Sequence, residues 1–132
     1  LGRQVLRDVS LNVRKGEIVG IAGLMGSGRT ELALSIFGNP TKYRIEGELY
    51  VRGQRQVFRK PEDAIKAGVA YVTEDRKGNG LILIQDVKQN ITLANLRAIS
   101  NNAVIDANAE IKTANDYRTS MNIKTPTVEQ PV

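Results

Sequence analysis

EIVGIAGLMGSGRTELALSIFG, residues 17–38, decides how the rest of the chain is read. Its first eight residues, Glu17 to Leu24, are short and mostly apolar, the pattern of a strand buried on both faces of a parallel sheet. Its last nine, Thr30 to Gly38, put Leu32, Ala33, Ile36 and Phe37 on one helical face, and Gly38 with Pro40 marks the helix end. Between them lies GLMGSGRT, residues 23–30. The predicted order is therefore strand, glycine-rich loop, helix, an α/β arrangement.

The loop matches G-x-x-x-x-G-K-[ST] except that Arg29 stands where the pattern has lysine. The relaxed pattern, allowing either cation, turns up by chance in about one chain in a hundred of this length at ordinary composition. A phosphate loop needs glycines that let backbone N–H groups point inward, a helix N-terminus behind them, a cation and a hydroxyl. Gly23, Gly26, Ser27 and Gly28 supply the wrap, Arg29 the cation and Thr30 the hydroxyl. The competing reading is a tight strand-to-helix turn whose glycines serve packing alone. Arginine is longer than lysine, planar and always charged. It can neutralise phosphate without placing the charge at the same point, so binding is expected to tolerate it better than catalysis does.

Outward from the loop, Val9, Leu11 and Val13 alternate with polar residues as in a half-buried strand, and Lys15-Gly16 makes a turn. Gly47–Val51 and Gln56–Phe58 flank Arg52-Gly53-Gln54-Arg55 as a hairpin. Pro61-Glu62-Asp63 opens a short helix that Gly68 closes. Val69–Val72 is a further short strand candidate, followed by the polar loop TEDRKGNG at 73–80. Asp86 and Gln89 have capping-box spacing ahead of Val87, Ile91, Leu93 and Leu96, and residues 107–121 read as a second, polar helix. The closing TPTVEQPV reads as an extended segment with no obvious packing. Leu1 is not a natural start, so the chain is expected to be a piece of a longer polypeptide.

The 132 residues are 41% hydrophobic and 25% charged, with no cysteine and no histidine. Disulfides, thiolate nucleophiles and imidazole chemistry are excluded within them, and a bound metal would be a hard cation on oxygen ligands. Residues 1–60 hold 11 Lys/Arg against 5 Asp/Glu; residues 61–132 hold 8 against 9. The basic first half suits a polyanion, although a solvated surface explains it as simply.

VLRDVSLNVRKGEIVGIAGLMGSGRTEL resembles the opening of an ABC-transporter ATP-binding domain. GLMGSGRTEL and YVTEDRKGNGLI resemble more specifically the second of two such domains in the ATP-binding subunits of monosaccharide importers of the ribose, galactose, arabinose and xylose type. That group carries arginine for the loop lysine and an E-D-R-K stretch after the next core strand, here Glu74-Asp75-Arg76-Lys77. The resemblance implies a partial P-loop NTPase: a RecA-like core with an antiparallel β subdomain over residues 1–85, and the start of a helical subdomain over 86–132. It implies ATP and Mg2+ as ligands. Gly23, Leu24, Met25, Gly26, Ser27, Gly28, Arg29, Thr30 and Glu31 would hold the phosphates, and Thr30 with Glu74 would ligate the metal. Glu74 stands where most such domains have glutamine, so Arg29 and Glu74 are expected to compensate one another in charge, and an exposed loop acid is the simpler account of Glu74 alone.

The implied partners are the first ATP-binding domain of the same subunit and the membrane permease, at the cytoplasmic face of a bacterial inner membrane. The L-S-G-G signature, the Asp-Glu strand end and the switch histidine of that pattern do not occur in these residues. Hydrolysis by these residues alone is therefore not expected, and self-association through open strand edges is. No aromatic residue lies in 1–36 to stack an adenine. Two other classes compete. One is a non-enzymatic module binding nucleic acid through Arg52, Arg55, Arg59 and Lys60, against which stands an aromatic content of 5%. The other is a different P-loop enzyme such as a small kinase, for which no acidic metal ligand stands out.

Overall fold

Gly28 starts the first helix. It sits in the left-handed region at φ +90°, which glycine adopts without steric cost, and its carbonyl accepts the first helical bond from Leu32 N–H at 2.9 Å. Helix α1 then runs Arg29–Ile36, and Phe37 N–H closes it onto Ala33. The computed structural model describes residues 5–38 and 43–132. Pro40, expected to mark the end of α1, lies outside the described residues. The chain divides into two units, Leu1–Tyr71 and Val72–Val132.

In the first unit, strands β1 (Leu49–Val51) and β2 (Gln54–Gln56) form an antiparallel hairpin at the expected place, with Val51 opposite Gln54; Gln54 and Arg55, expected in the turn, are paired in β2, and Val57 and Phe58, expected in the second strand, lie beyond it. Arg52 at φ +52° and Gly53 at φ +75° make its two-residue turn, the mirror-image type that matches strand twist. Helix α2 (Pro61–Lys66) begins with proline, carries Glu62 and Asp63 in its first turn and Lys66 in its last. Gly68, left-handed at φ +83°, ends it: Gly68 N–H bonds Ile65 and Val69 N–H bonds Ala64, which satisfies two carbonyls at the helix end. Ala64 is fully buried. The rings of Phe37 and Tyr71 meet at 5.6 Å.

The strands expected at Val9–Val13, Glu17–Leu24 and Val69–Val72 are not strands here. These segments belong to no ladder, and Ile18 and Leu24 are 98% and 85% exposed. The reason is that a strand is defined by a neighbour. An apolar run signals burial on two faces, but without a hydrogen-bonded partner among the described residues its N–H and C=O groups turn to water.

The second unit is built on caps. A π-helical turn, Arg76–Gly80, occupies the loop read at 73–80, with the Asp75 carboxylate accepting Gly78 N–H at 2.9 Å. The capping box forms as predicted: Asp86 Oδ1 accepts Gln89 N–H at 2.8 Å, and Gln89 Oε1 accepts Asp86 N–H at 3.2 Å. Helix α3 (Val87–Thr92) runs on into short 3-10 turns over Leu93–Ile99, broken by a kink at Asn95 (φ −145°, ψ +54°). A second hairpin follows, β3 (Ser100–Asn101) with β4 (Val104–Ile105). Its turn residues Asn102 and Ala103 both have positive φ; alanine there gave no turn signal. Asp106 caps α4 (Ala107–Ser120) through Asn108 and Ala109 N–H.

Helices α3 and α4 pack on one another around Thr92, Ile99, Glu110 and Ala114. The closing segment packs as well, contrary to the expectation for TPTVEQPV. Val128 is 3% exposed, its carbonyl accepts Lys88 N–H at 2.8 Å, and Gln130 accepts Val87 N–H at 3.0 Å. An extended segment can satisfy the N–H groups that open a helix, which sequence periodicity does not report. No helix among the described residues is long and apolar enough to cross a membrane.

Candidate phosphate-binding loop

The loop is a compact turn laid against the start of α1. Ser27 N–H donates to the Leu24 carbonyl at 3.1 Å, and Gly26 and Gly28 take φ values of +77° and +90°. Those two glycines turn the chain twice within three residues, which L side chains oppose. Gly28 is also tight: a Cβ there would come within 2.7 Å of Leu6 Cδ2. The N–H groups at the start of α1 have no intrahelical acceptor, and Gly28 has no side chain to cap them. The helix thus opens on an uncapped, positively polarised end, and Glu31 in its first turn is the acid that complements it.

Arg29 closes the loop across its mouth. Its Nη1 donates to the Leu24 carbonyl at 2.9 Å and to Ser27 Oγ at 3.0 Å. Gly23 is the glycine this needs, since a Cβ there would stand 2.7 Å from Arg29 Nη1 and 2.6 Å from Ser27 Oγ. The guanidinium therefore lies over the loop rather than out in solvent. A planar cation held in that way presents its remaining N–H donors to whatever anion approaches the loop. Met25, 98% exposed, is the outermost residue of the turn and touches little.

The nine residues Gly23 to Glu31 thus form one continuous element in the first unit. Thr30 lies in the first turn of α1, whereas Glu74 belongs to the second unit. Next to Glu74, Asp75 is committed to its own turn, accepting Gly78 N–H at 2.9 Å and Asn79 Nδ2 at 3.3 Å, and its N–H donates to Thr73 Oγ1. Among the described residues no group of three or more Asp and Glu side chains converges as a metal site. A magnesium ion seated by a threonine hydroxyl and phosphate oxygens needs no such group.

Three contributors were not read from the sequence. The Leu24 carbonyl serves as acceptor for both Ser27 and Arg29, and backbone acceptors carry no sequence signal. Leu6 packs on Gly28 from outside the motif. Gly38, left-handed at φ +77°, signals only a helix stop in the sequence, yet a side chain there would collide with the Lys60–Pro61 backbone. The apolar cavity of about 390 Å³ in the second unit, lined by Ile91, Ala94, Ile99, Tyr117 and Met121 among others, includes no residue of the loop.

Residues 6–129 match the family described as ABC transporter. The chain is 53% identical over 130 residues to the L-arabinose transport ATP-binding protein AraG of Geobacillus stearothermophilus, a match covering 98% of the chain and 25% of the relative. It is 50% identical over 131 residues to the xylose import ATP-binding protein XylG of Thermoanaerobacter pseudethanolicus, covering 99% and 26%. It is 48% identical over 128 residues to a ribose import ATP-binding protein of Rubrobacter xylanophilus, covering 96% and 25%. The chain spans about a quarter of the length of these relatives. No solved structure matches it. With a family match over nearly its whole length, an α/β sequence pattern and a glycine loop feeding a helix N-terminus, the chain belongs to the ABC transporter family.

Proposed function

We propose that the chain binds ATP with Mg2+ as part of the ATP-binding subunit of a monosaccharide importer. The observation that carries the reading is the closed loop Gly23–Glu31, with two left-handed glycines, an uncapped helix start and Arg29 held across it by Leu24 and Ser27. Family membership and the names of the relatives support the rest. Gly23, Leu24, Met25, Gly26, Ser27, Gly28, Arg29, Thr30 and Glu31 take the phosphates. Thr30 and Glu74 supply oxygens to the metal. Bound Mg2+ supplies charge neutralisation for the phosphates, and the chain's part is to seat them at the start of α1.

The proposed partners are the first ATP-binding domain of the same subunit and a membrane permease. The proposed place is peripheral, on the cytoplasmic face of a bacterial inner membrane. Residues 1–85 form the β subdomain with the first part of the core, and 86–132 open the helical subdomain. The 132 residues contain no L-S-G-G signature, so on this reading they hold nucleotide without turning it over by themselves, and they self-associate through the exposed apolar segments at 9–13 and 17–24.

Titration of the chain with ATP and Mg2+, beside a DNA-binding assay at several salt concentrations, tests the reading. Saturable nucleotide binding that Arg29→Ala weakens supports it. Steeply salt-dependent DNA binding with no response to nucleotide overturns it in favour of a basic nucleic-acid module.

A further inference from the structure

The tip of the first hairpin breaks a turn rule. Two-residue turns with positive φ at both positions favour Asn, Asp or Gly at the first, because other side chains crowd the backbone there. Arg52 holds that position at φ +52°. An arginine kept in a disfavoured conformation is a reason to ask what its side chain does. The guanidinium lies over the end of α2, so close to Gly68 that a Cβ on that glycine would stand 3.1 Å from Arg52 Nη2.

A cavity of about 300 Å³ opens at this place, lined by Val51, Arg52, Gln54, Gln56, Lys66 and Ala67. The hairpin register explains the lining: Val51 pairs with Gln54 and Leu49 with Gln56, so these side chains share one face. Tyr50 and Arg55 pair on the opposite face, where Arg55 bridges Glu48 at 3.2 Å and the Tyr50 hydroxyl donates to the same carboxylate at 3.1 Å. Arg55 is thus neutralised on the far side. Arg52 and Lys66 make no ion pair among the described residues, and no Asp or Glu lines the cavity. The carboxylates nearest Lys66 in sequence are Glu62 and Asp63, four and three residues before it and so one helical turn away on α2; Asp63 accepts Arg59 N–H, and neither forms an ion pair with Lys66 among the described residues.

Two cations facing one cavity repel each other until an anion joins them. The side-chain amides of Gln54 and Gln56 add N–H donors, and two carbonyls near the end of α2 are already satisfied by Gly68 and Val69. We propose that Arg52, Lys66, Gln54 and Gln56 form a second anion site, separate from the glycine loop, that takes a phosphate-class oxyanion. A guanidinium offers a tetrahedral oxyanion paired donors and an ammonium adds a point charge. The cavity has room for a phosphate ester. A free ester and a phospholipid headgroup share this chemistry.

The test uses the chain labelled for amide NMR, titrated with inorganic phosphate and, at equal ionic strength, with sodium chloride. Saturable shifts at Gly53, Lys66 and Gly68 are expected with phosphate and not with chloride. Arg52→Asn removes the charge and supplies a residue the turn prefers, so folding is retained or improved. Arg52→Asn and Lys66→Gln are each expected to weaken binding at these amides about threefold to tenfold, as for a charge-assisted contact in an open site. The Gly26 and Gly28 responses should stay unchanged, so failure here is distinct from failure of the nucleotide loop. Vesicles of phosphatidylglycerol against phosphatidylcholine form the second arm. Binding to the anionic vesicles that the double variant loses, without a response to free phosphate, assigns the headgroup as the source. No saturable response in either arm, or one that the double variant keeps, overturns the proposal. A loss of stability in Arg52→Asn with anion binding intact would also overturn it, because Arg52 would then serve only as a brace on α2.

Discussion

Arg29 reaches back five residues to donate through Nη1 to the Leu24 carbonyl at 2.9 Å, and the same nitrogen donates to Ser27 Oγ at 3.0 Å. The cation of the loop is therefore placed by the loop itself. Lysine could supply a charge but not this geometry: both loop contacts use Nη1, which leaves Nη2 and Nε as further donors, whereas an ammonium has one nitrogen for both tasks.

The first prediction follows from that placement. Arg29→Ala removes a charge-assisted contact to phosphate and is expected to weaken nucleotide binding by about tenfold to a hundredfold, the range of roughly 1.5–3 kcal/mol. Arg29→Lys is expected to fall between the two. Titration calorimetry with ATP and Mg2+ checks it; equal affinity for Arg29→Ala and the parent chain would show that Arg29 does not meet the phosphates.

Backbone conformation sets the second. Gly28→Ala places a methyl at φ +90° and within 2.7 Å of Leu6 Cδ2. The conformation alone costs about 1–2 kcal/mol, and the contact adds to it. Gly38→Ala is expected to cost more, about 2–4 kcal/mol, because its obstacle is the Lys60–Pro61 backbone, which cannot rotate aside as a leucine tip can. Urea unfolding followed by circular dichroism reads both, and the order of the two variants is the part at stake.

The third concerns the buried polar pair of the second unit. The one hydroxyl proton of Thr92 has two close acceptors, Glu110 Oε1 at 3.0 Å and the Lys88 carbonyl at 2.9 Å, and Thr92 and Glu110 are 4% and 8% exposed. Thr92→Val keeps the shape and removes a donor to that carboxylate, with an expected loss of about 1–3 kcal/mol. Thr92→Val combined with Glu110→Gln should lose less than the two single effects added, because the charge that the hydroxyl served is gone. Strict additivity in urea unfolding would mean the two side chains do not interact.

How far the sequence foretold this molecule depends on the range of the interaction concerned. Asp86 with Gln89, Pro61 at the start of α2, Gly68 at its end and the glycines before α1 each act within a few residues, and each is found where their spacing puts it. The apolar run Glu17–Leu24 reports a tendency to be covered, and covering needs a neighbouring strand that the run itself cannot supply. Val128 failed in the opposite sense. Its short segment has no period, and its burial comes from accepting Lys88 N–H across forty residues of chain. The Ala103 turn was missed because alanine rarely takes positive φ, so only the pairing of Ser100 with Ile105 makes sense of it. In the candidate loop the turns at Gly26 and Gly28 were legible, while the acceptor that places Arg29 is the Leu24 carbonyl, a group that every residue has.

The last prediction is a pH dependence in the second unit. Lys88 Nζ lies 2.6 Å from Asp86 Oδ2, with both side chains mostly buried at 17% and 16% exposure. Burial pushes the Asp86 carboxyl up, but the hydrogen bond from Lys88, the Gln89 N–H and the ammonium charge together outweigh it and hold the group below its ordinary value. The hydrogen bond to Asp86 raises Lys88; burial works against this, and the charges of Asp86, Glu129 and Glu110 add to it. A carboxyl depressed by folding gives stability that is present above its ordinary value and lost as pH falls through the folded one. A raised lysine gives stability that is present below its ordinary value and lost as pH rises through the folded one. The pair therefore contributes a plateau between about pH 4 and 10, with an acid limb owed to Asp86 and an alkaline limb owed to Lys88. Asp86→Asn keeps a side chain that caps α3 nearly as well and removes only the charge. It is expected to lower stability at neutral pH by about 1 kcal/mol and to flatten the acid limb. Urea midpoints of the chain and the variant, measured from neutral pH down to about pH 3, should converge as Asp86 is protonated; midpoints that stay parallel would show that the Asp86–Lys88 pair contributes no pH-dependent stability.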